Sequence, residues 1–163
     1  MLRLGHHGAA MLAYAPVIAI SSGPLRWGAI CAFPLALLAA RLPDADRRLP
    51  LVPHRGPTHT VWFAGFVALA VSVGLGAVWG PLEPAGQVVT GLAAGLGVVS
   101  HLLADAITPA GVRPLWPIWD RSISLRLVRA SNAPANWLLF VAGLAAISLA
   151  LGSHGASWAL GGG

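Results

Sequence analysis

His101 and Asp105 are the residues of this sequence best suited to chemistry, because they lie inside the apolar stretch SHLLADAITPAGVRPLWP. Residues four apart share one face of a helix, so the two side chains are one turn from each other. Ionisable groups at the end of a membrane-length apolar segment are costly to bury and mark functional sites. Imidazole and carboxylate both bind metal, so the pair predicts part of a metal site. The simpler alternative is that Asp105 only orients His101.

Three further clusters supply candidate ligands: GHH near the amino terminus, PDAD after the second apolar segment and HRGPTH before the third. The candidate metal ligands are therefore His6, Asp44, Asp46, His54, His59, His101 and Asp105, with His7 beside the first. Imidazole and carboxylate are ligands of zinc, manganese and iron, and catalytic zinc sites use three protein ligands plus water. So many candidates predict two or more divalent ions, zinc first and manganese or iron as alternatives, with Asp44 or Asp46 as a bridge.

The composition is that of a membrane protein. Of the 163 residues, 56% are hydrophobic and 9% are charged, with a mean hydropathy of +0.74, whereas soluble domains carry about 25% charged residues. We expect one domain over residues 1–163, an all-α bundle of four to five membrane spans. The single cysteine, Cys31, argues against a disulfide framework or a thiolate metal cluster. The basic balance fits orientation and anionic lipid headgroups better than nucleic acid.

The predicted membrane spans correspond to five apolar segments. The first is short enough to be a half-buried helix instead. They cover approximately residues 9–22, 25–42, 60–80, 87–107 and 136–152. In the fourth, Gly91 and Gly95 form a small-xxx-small pair that lets a neighbouring helix approach closely. The stretch before the fifth contains Trp116 and Trp119 and predicts an interfacial loop. His154, near the carboxyl terminus, is expected to be a bystander.

The arginines predict the orientation in the membrane. With five spans, nine of the ten arginines fall on one side and only Arg26 on the other. The positive-inside rule makes the first side cytoplasmic, so we expect the amino terminus in the cytoplasm and the carboxyl terminus outside. The same five-span arrangement places the candidate ligands at the cytoplasmic ends of their spans. A shared His/Asp metal site is therefore predicted there.

The chemistry expected of such a site is hydrolysis. A divalent metal would activate water beside the bilayer surface, and Arg55 and Arg113 can hold phosphate oxygens, which suits cleavage of a phosphoester. The expected catalytic residues are Asp105, His101 and Arg55. The expected partner is a membrane lipid, with its anionic headgroup or a lipid-linked phosphate as substrate. The sequence lacks HExxH, GxSxG and Gly-rich phosphate-loop motifs, which argues against the corresponding enzyme classes.

Four blocks, GHHGAA, LPDAD, HRGPTHT and SHLLADAITPAGVRPLWP, occur in this order between apolar segments. Together they resemble the YdjM-like family of predicted inner-membrane metal-dependent hydrolases. That family is grouped with the zinc-dependent phospholipase C and single-strand nuclease superfamily, so the resemblance implies an all-helical fold and a phosphodiester-cleaving site. The ligands it implies are His6, Asp44, His59, His101 and Asp105, with His54 and Asp46 nearby. This sequence departs from the family in having Arg47 and Arg48 in place of a His-Pro pair, and Thr60 in place of serine.

Two other function classes remain open. A small ion or metal transporter can place histidine and aspartate at its mouth, but it predicts polar residues continuing through the spans, and four of the five apolar segments have almost none. A structural membrane protein with a metal staple needs the same ligands but no open coordination position. The metal content of the protein, compared with that of His101→Ala, would reduce the uncertainty most. The sequence leaves the oligomeric state open.

Overall fold

A computed structural model describes residues 1–48, 55–79 and 83–153. These residues form five α-helices: α1 (Arg3–Ile20), α2 (Gly23–Ala39), α3 (Val61–Trp79), α4 (Pro84–Ala106) and α5 (Ala133–Gly152). Two short 3-10 segments, Pro43–Arg48 and Pro57–His59, lie between α2 and α3. The described ranges contain no strand beyond an isolated antiparallel bridge between Val112 and Ile123. The predicted all-α fold is confirmed.

Helix α1 begins at Arg3, six residues before the predicted start at residue 9. The apolar pattern begins only at residue 9, yet the helix runs through the preceding GHHG sequence, in which both glycines lie against α5. A Cβ atom at Gly5 would collide with the side chain of Asn136, and one at Gly8 would collide with the main chain of Leu139. His6 and His7 are therefore helical residues, and the ligand candidate His6 has a rigid backbone.

Helices α4 and α5 each begin three residues before their predicted starts. In α4, Pro84 occupies the first turn, where the N–H that proline lacks would have no partner inside the helix. In α5, the side chain of Asn132 caps the helix by accepting a hydrogen bond from the N–H of Ala135 at 3.0 Å. The apolar pattern alone missed both starts, since the first turns are polar or contain proline.

The bundle is built around α4, which packs against α1, α2 and α3, while α5 packs against α1. Small residues allow these close approaches, as is usual for helices in membranes. Gly91 lies against α3, where an added Cβ would come within 3.1 Å of the Ala68 carbonyl oxygen, and a Cβ at Gly95 would come within 3.1 Å of the Ala68 Cβ. The predicted small-xxx-small contact of α4 is confirmed.

Three segments are long and apolar enough to cross a membrane: Gly23–Arg47, Pro84–Ala106 and Ala133–Gly152. A shorter apolar helix covers Val61–Ala77. Large apolar side chains point outward from the bundle, with Trp27 70% exposed and Leu138 72% exposed, as expected for surfaces that face lipid. Four to five spans remain a prediction for this chain.

The helices alternate in direction, so one end of the bundle contains the amino ends of α1, α3 and α5 and the carboxyl ends of α2 and α4. We call it the site end. There, the N–H of Leu2 donates to Asn136 Oδ1 at 3.1 Å, which joins the starts of α1 and α5. Every candidate ligand among the described residues belongs to the site end.

Arg26 closes the opposite end of the bundle. Its guanidinium donates to the carbonyl oxygen of Ile18 at 2.9 Å and to those of Ala150 and Leu151 at 3.0 and 2.7 Å. These carbonyls lie in the last turns of α1 and α5, where helical oxygens lack intrahelical partners. The arginine that the orientation rule leaves on the other side therefore has a structural role.

Candidate metal centre

Asp105 lies at the centre of the site end, in the last turn of α4, and its side chain is buried. Three buried histidines face its carboxylate with their Nε2 atoms. His6 Nε2 is 3.7 Å from Oδ1, His101 Nε2 is 3.8 Å from Oδ2 and His59 Nε2 is 3.9 Å from Oδ2. Metal bonds of 2.0–2.1 Å at tetrahedral angles place ligand atoms roughly 3.3–3.4 Å apart. Each Nε2 is therefore within about 0.6 Å of the separation from a carboxylate oxygen that two ligands of one ion would have.

The tautomer of His101 is set by the backbone of α2. Its Nδ1 lies 2.8 Å from the carbonyl oxygen of Ala40, and a carbonyl oxygen only accepts, so Nδ1 carries the proton and Nε2 a lone pair. This Nε2 is buried and makes no hydrogen bond to the described residues. Buried polar atoms usually have partners because leaving one without costs free energy. A buried Nε2 with a lone pair and no hydrogen-bond donor is what a metal-binding histidine presents to its ion.

His6 packs directly on His101. The two rings are stacked, with centroids 3.8 Å apart and planes 6° from parallel. The His6 Nδ1 is a second buried nitrogen that makes no hydrogen bond within the described part of the chain. Two imidazoles so close together cannot both carry charge without strong repulsion. The two rings are therefore expected to be uncharged, and uncharged imidazoles can bind a cation.

His59 lies between two carboxylates. Its Nδ1 is 3.3 Å from Asp46 Oδ2, on the opposite side of the ring from the Nε2 that faces Asp105. The same Asp46 oxygen accepts hydrogen bonds from Thr58 Oγ1 and from the N–H of Arg55, both at 3.0 Å. A carboxylate behind the outer nitrogen of a metal-binding histidine fixes the ring orientation and raises its basicity.

Two sets of three ligand atoms lie within 4.8 Å of one another. They are His6, Asp44 and His101, and His59, His101 and Asp105. Both sets use His101, and its Nδ1 is bonded to Ala40, so only Nε2 can bind an ion. The sets therefore overlap as two faces of one cluster. This favours a single ion over the predicted two or more.

Arg55 contacts the cluster, and both terminal nitrogens of its guanidinium already interact with other residues of the protein. Nη2 lies 3.1 Å from Asp105 Oδ2, and Nη1 donates to the Gly111 carbonyl oxygen at 2.7 Å. The backbone of Arg55 has φ 64°, in the left-handed region that non-glycine residues rarely adopt. Strain of this kind persists only where the surroundings enforce it. The Met1 ammonium also contacts Asp105, at 2.9 Å from Oδ1, so two cations face this carboxylate.

The other predicted residues have different surroundings. Asp44 is half-buried and pairs with Arg47, whose Nε is 3.2 Å from Oδ1. Arg113, expected to hold phosphate, instead pairs with Asp120 at 2.8 Å, and both side chains are exposed on the loop that precedes α5. His54 and His154 lie outside the described residues. The structure thus brings together His6, Asp44, His59, His101 and Asp105, with Asp46 and Arg55 in contact with them.

A cavity of about 420 Å³ lies beside the cluster, between the start of α1 and the segment that follows α2. His6 and Asp44 form part of its wall, so the cavity reaches one face of the cluster. Arg3, Arg41 and Arg47 also line it. The site end therefore has a recess in which a small anionic group can lie next to candidate metal ligands.

Comparison with known proteins decides the family. The sequence profile of the YdjM inner membrane protein family matches residues 1–162. The chain belongs to the YdjM inner membrane protein family. No curated protein and no solved structure matches it. The family match confirms the resemblance that was predicted from the four sequence blocks. Family membership and the three apolar segments together indicate an inner membrane protein. The link to the phospholipase C and nuclease superfamily stays a prediction.

In this YdjM family chain, sequence reasoning missed Asn136. Its side chain is 1% exposed, and its Oδ1 accepts the N–H of Leu2 while its Nδ2 donates to the carbonyl oxygens of Ala130 and Asn132 at 3.1 and 2.7 Å. Asn136 thus fixes the start of α1, four residues before His6. The available signal was a lone amide in the first turn of an otherwise apolar helix.

Proposed function

We propose that this protein is a membrane-bound metal-dependent hydrolase that cleaves a phosphoester of a lipid or lipid-linked substrate. The observation that carries the proposal is the approach of three histidine Nε2 atoms, from α1, α4 and the 3-10 segment before α3, to one buried carboxylate. Imidazole and carboxylate together suit zinc, with manganese and iron as alternatives. We assign one divalent ion to His6, His59, His101 and Asp105, with Asp44 at the edge of the same cluster.

When bound, a divalent ion would supply a Lewis acid and make a coordinated water more acidic. The chain's own residues prepare the ligands. Ala40 holds the proton of His101 on Nδ1, and Asp46 contacts the outer nitrogen of His59, so each ring keeps Nε2 directed at Asp105. Asp46 is therefore assigned to orient His59, rather than to bind the ion as the sequence predicted. Such supporting contacts preserve the geometry that catalysis requires.

The substrate class is inferred from the position of the cluster. The non-helical segment between α4 and α5 belongs to the site end, because the N–H of Leu125 donates to the Ala106 carbonyl oxygen at 2.8 Å. Large apolar side chains on this segment are exposed, with Ile118 78% and Trp119 49% accessible. Exposed tryptophan and aliphatic groups beside arginines suit the headgroup region of a bilayer. A substrate at the membrane surface would reach the cluster directly.

The orientation belongs to the same proposal. Nine of the ten arginines fall at the site end if the chain crosses the bilayer five times, so the positive-inside rule assigns the site end and the amino terminus to the cytoplasm. The exception, Arg26, binds helix carbonyls at the other end, which gives it a structural reason to be there. The candidate substrate would then lie in the cytoplasmic leaflet.

A metal-stapled structural protein is the second candidate. Three histidines and one aspartate can fill all four positions of a tetrahedral zinc ion, which is typical of structural sites. The cavity beside His6 and Asp44 favours the hydrolase, because a staple needs no recess for another molecule. The two proposals differ in one property: only the hydrolase binds metal and also forms a product.

The test uses the full chain in bilayer discs of mixed bacterial lipids. The protein is treated with a chelator, reloaded with zinc or manganese, and assayed for bound metal and for lipid products by mass spectrometry. We expect a phosphorylated headgroup to be released by the reloaded protein and not by Asp105→Asn. His7→Ala is the matched control, since His7 neighbours His6 in sequence and belongs to neither ligand set. Bound metal without product from a wide lipid panel would overturn the hydrolase in favour of the staple.

A further inference from the structure

The cavity at the site end has a basic wall. Arg3 on α1, Arg41 after α2 and Arg47 in the following 3-10 segment line it, and Asp44 is the acidic residue of the wall. Arg47 is the closest to Asp44, with Nε 3.2 Å from Oδ1. Among the described residues, no ion pair involves Arg3 or Arg41. The wall therefore carries more positive than negative charge, and two of its guanidinium groups are available to an anion.

The arginines that the sequence assigned to phosphate have other partners. The guanidinium of Arg55 binds Asp105 and the Gly111 carbonyl. That of Arg113 binds Asp120. Phosphate recognition by either residue would require breaking an existing contact, whereas Arg3 and Arg41 have no ion pair to break in the part of the chain that the structure describes. The cavity is thus better suited to hold an oxyanion than the two positions predicted from the sequence.

We propose that Arg3, Arg41 and Arg47 form the binding site for the phosphate group of a membrane lipid, and hold it against the face of the metal cluster made by His6 and Asp44. The planar guanidinium donates two parallel hydrogen bonds to a phosphate, which makes arginine well suited to this role. This inference rests on the proposed function, because it names the part of the substrate that the same site recognises.

The size of the cavity limits what it can hold. Ligand pockets commonly measure about 300–1,000 Å³, and this one measures about 420 Å³. It has room for a headgroup but not for two acyl chains. The acyl chains of the lipid would therefore stay in the bilayer beside the helices. The determinant of recognition is the phosphate and its immediate substituent, so the lipid tails contribute little to specificity.

The experiment measures binding separately from turnover. The full chain in detergent micelles is stripped of metal with a chelator and titrated calorimetrically with a short-chain phosphatidic acid, with the matching short-chain diacylglycerol and with inorganic phosphate. The variants are Arg3→Gln and Arg41→Gln, because changing Arg47 would also remove the partner of Asp44. Arg113→Gln is the matched control: it removes an exposed arginine that does not line the cavity. Thermal unfolding of each variant checks that the fold is retained.

We expect phosphatidic acid to bind and diacylglycerol not to bind. Arg3→Gln and Arg41→Gln should each weaken binding about tenfold or more, since hydrogen bonds to charged groups contribute that much, while Arg113→Gln should have no effect. If Arg3→Gln and Arg41→Gln weaken the binding of inorganic phosphate and of phosphatidic acid equally, the ligand is the phosphate itself. If they weaken only the binding of phosphatidic acid, the ligand is the lipid. Equal affinities in all four proteins would overturn the arginine site.

Turnover by the metal-loaded protein separates this inference from the proposed function. If lipid is cleaved and Arg3→Gln and Arg41→Gln leave KM unchanged, the arginine site is wrong and the hydrolase stands. If these variants lose binding while no lipid is cleaved by any form of the protein, the hydrolase is wrong and the phosphate site stands.

Discussion

The Nδ1 of His101 lies 2.8 Å from the carbonyl oxygen of Ala40 and so connects the last turns of α4 to the end of α2. The bond orients a candidate ligand with a backbone atom, which no side-chain substitution can remove directly. It forms only because α4 approaches α2 closely at Gly97, where an added Cβ would collide with the Ala36 carbonyl oxygen. The geometry of the candidate site thus depends on how two helices pack.

Gly97→Ala should therefore impair both stability and metal binding. Its Cβ would also lie 2.9 Å from the Ala39 Cβ and 3.0 Å from the Ala40 nitrogen, so α2 must shift. Overpacking of this kind costs about 1–3 kcal/mol. We expect a lower unfolding temperature in detergent and weaker zinc binding. The control is Gly65→Ala, because a Cβ there meets nothing within 4 Å; equal behaviour of the two variants would contradict the packing argument.

Removal of the ligands should lower the metal content. His59→Ala, His101→Ala and Asp105→Ala each delete a group that faces the cluster, so the zinc retained after dialysis should fall in all three, as measured by plasma mass spectrometry. His6→Ala should also lose metal, because His7 is the next residue of the same helix and does not share its face. His7→Ala should retain the wild-type content. A full complement of metal in every variant would exclude this cluster as the site.

Asp46→Asn should weaken zinc binding without abolishing it. Asp46 contacts the outer nitrogen of His59, and loss of such an orienting carboxylate costs about 10–100-fold in metal affinity. Asp105→Asn should lower the affinity more, because it removes a group at the centre of the cluster. A competition titration with a zinc-specific chelator gives both values. If Asp46→Asn lowers affinity as much as Asp105→Asn, Asp46 binds the ion directly, as the sequence predicted.

Arg26→Gln should destabilise the bundle without changing the metal site. The substitution removes charged hydrogen bonds to Ile18, Ala150 and Leu151, and we expect a loss of about 1–3 kcal/mol. The unfolding temperature should fall, while zinc affinity in the folded protein stays the same because Arg26 is at the opposite end. Arg129→Gln, at an exposed loop arginine, should leave both properties unchanged. A change in zinc affinity with Arg26→Gln would mean that the two ends are coupled.

The orientation can be tested with reporter fusions. If the site end is cytoplasmic, a reporter inserted in the loop near Leu49 should be active only inside the cell, and one fused after Gly163 only outside. Both results follow from five spans and the positive-inside rule. A cytoplasmic signal from both fusions would mean four spans, and an external signal from Leu49 would reverse the orientation.

The sequence was sufficient to predict the cluster, because histidine and aspartate are costly at the end of an apolar helix unless they serve a site. The spacing of His101 and Asp105 can be read directly as one face of α4. The different surroundings of Asp44 and Asp46 cannot be predicted from the sequence, because they depend on the backbone conformation of a short 3-10 segment. That conformation directs Asp46 to His59 and leaves Asp44 with Arg47 at the cavity.

The contacts of the two arginines assigned to phosphate could not be predicted for a similar reason. Arg55 and Arg113 are close in sequence to predicted ligands, but a long side chain can reach several partners, and its choice depends on the fold. Arg55 reaches Asp105 and Gly111, while Arg113 reaches Asp120. The cavity arginines come from three separate segments, so no local motif indicates them. Only the packing of α1 beside the end of α2 brings them together.

The contact between Asn136 and Leu2 has a consequence for the order in which the protein is made. Helix α1 emerges from the ribosome before α5, but the start of α1 is fixed by a residue of α5, because Asn136 accepts the N–H of Leu2 from 134 residues away. A nascent chain that ends before α5 already contains the candidate ligands His6, Asp44, His59, His101 and Asp105, but it lacks Asn136, whose Oδ1 accepts the N–H of Leu2 just before α1 begins. Metal capture is therefore expected to be a late event in biogenesis, completed when α5 docks on α1.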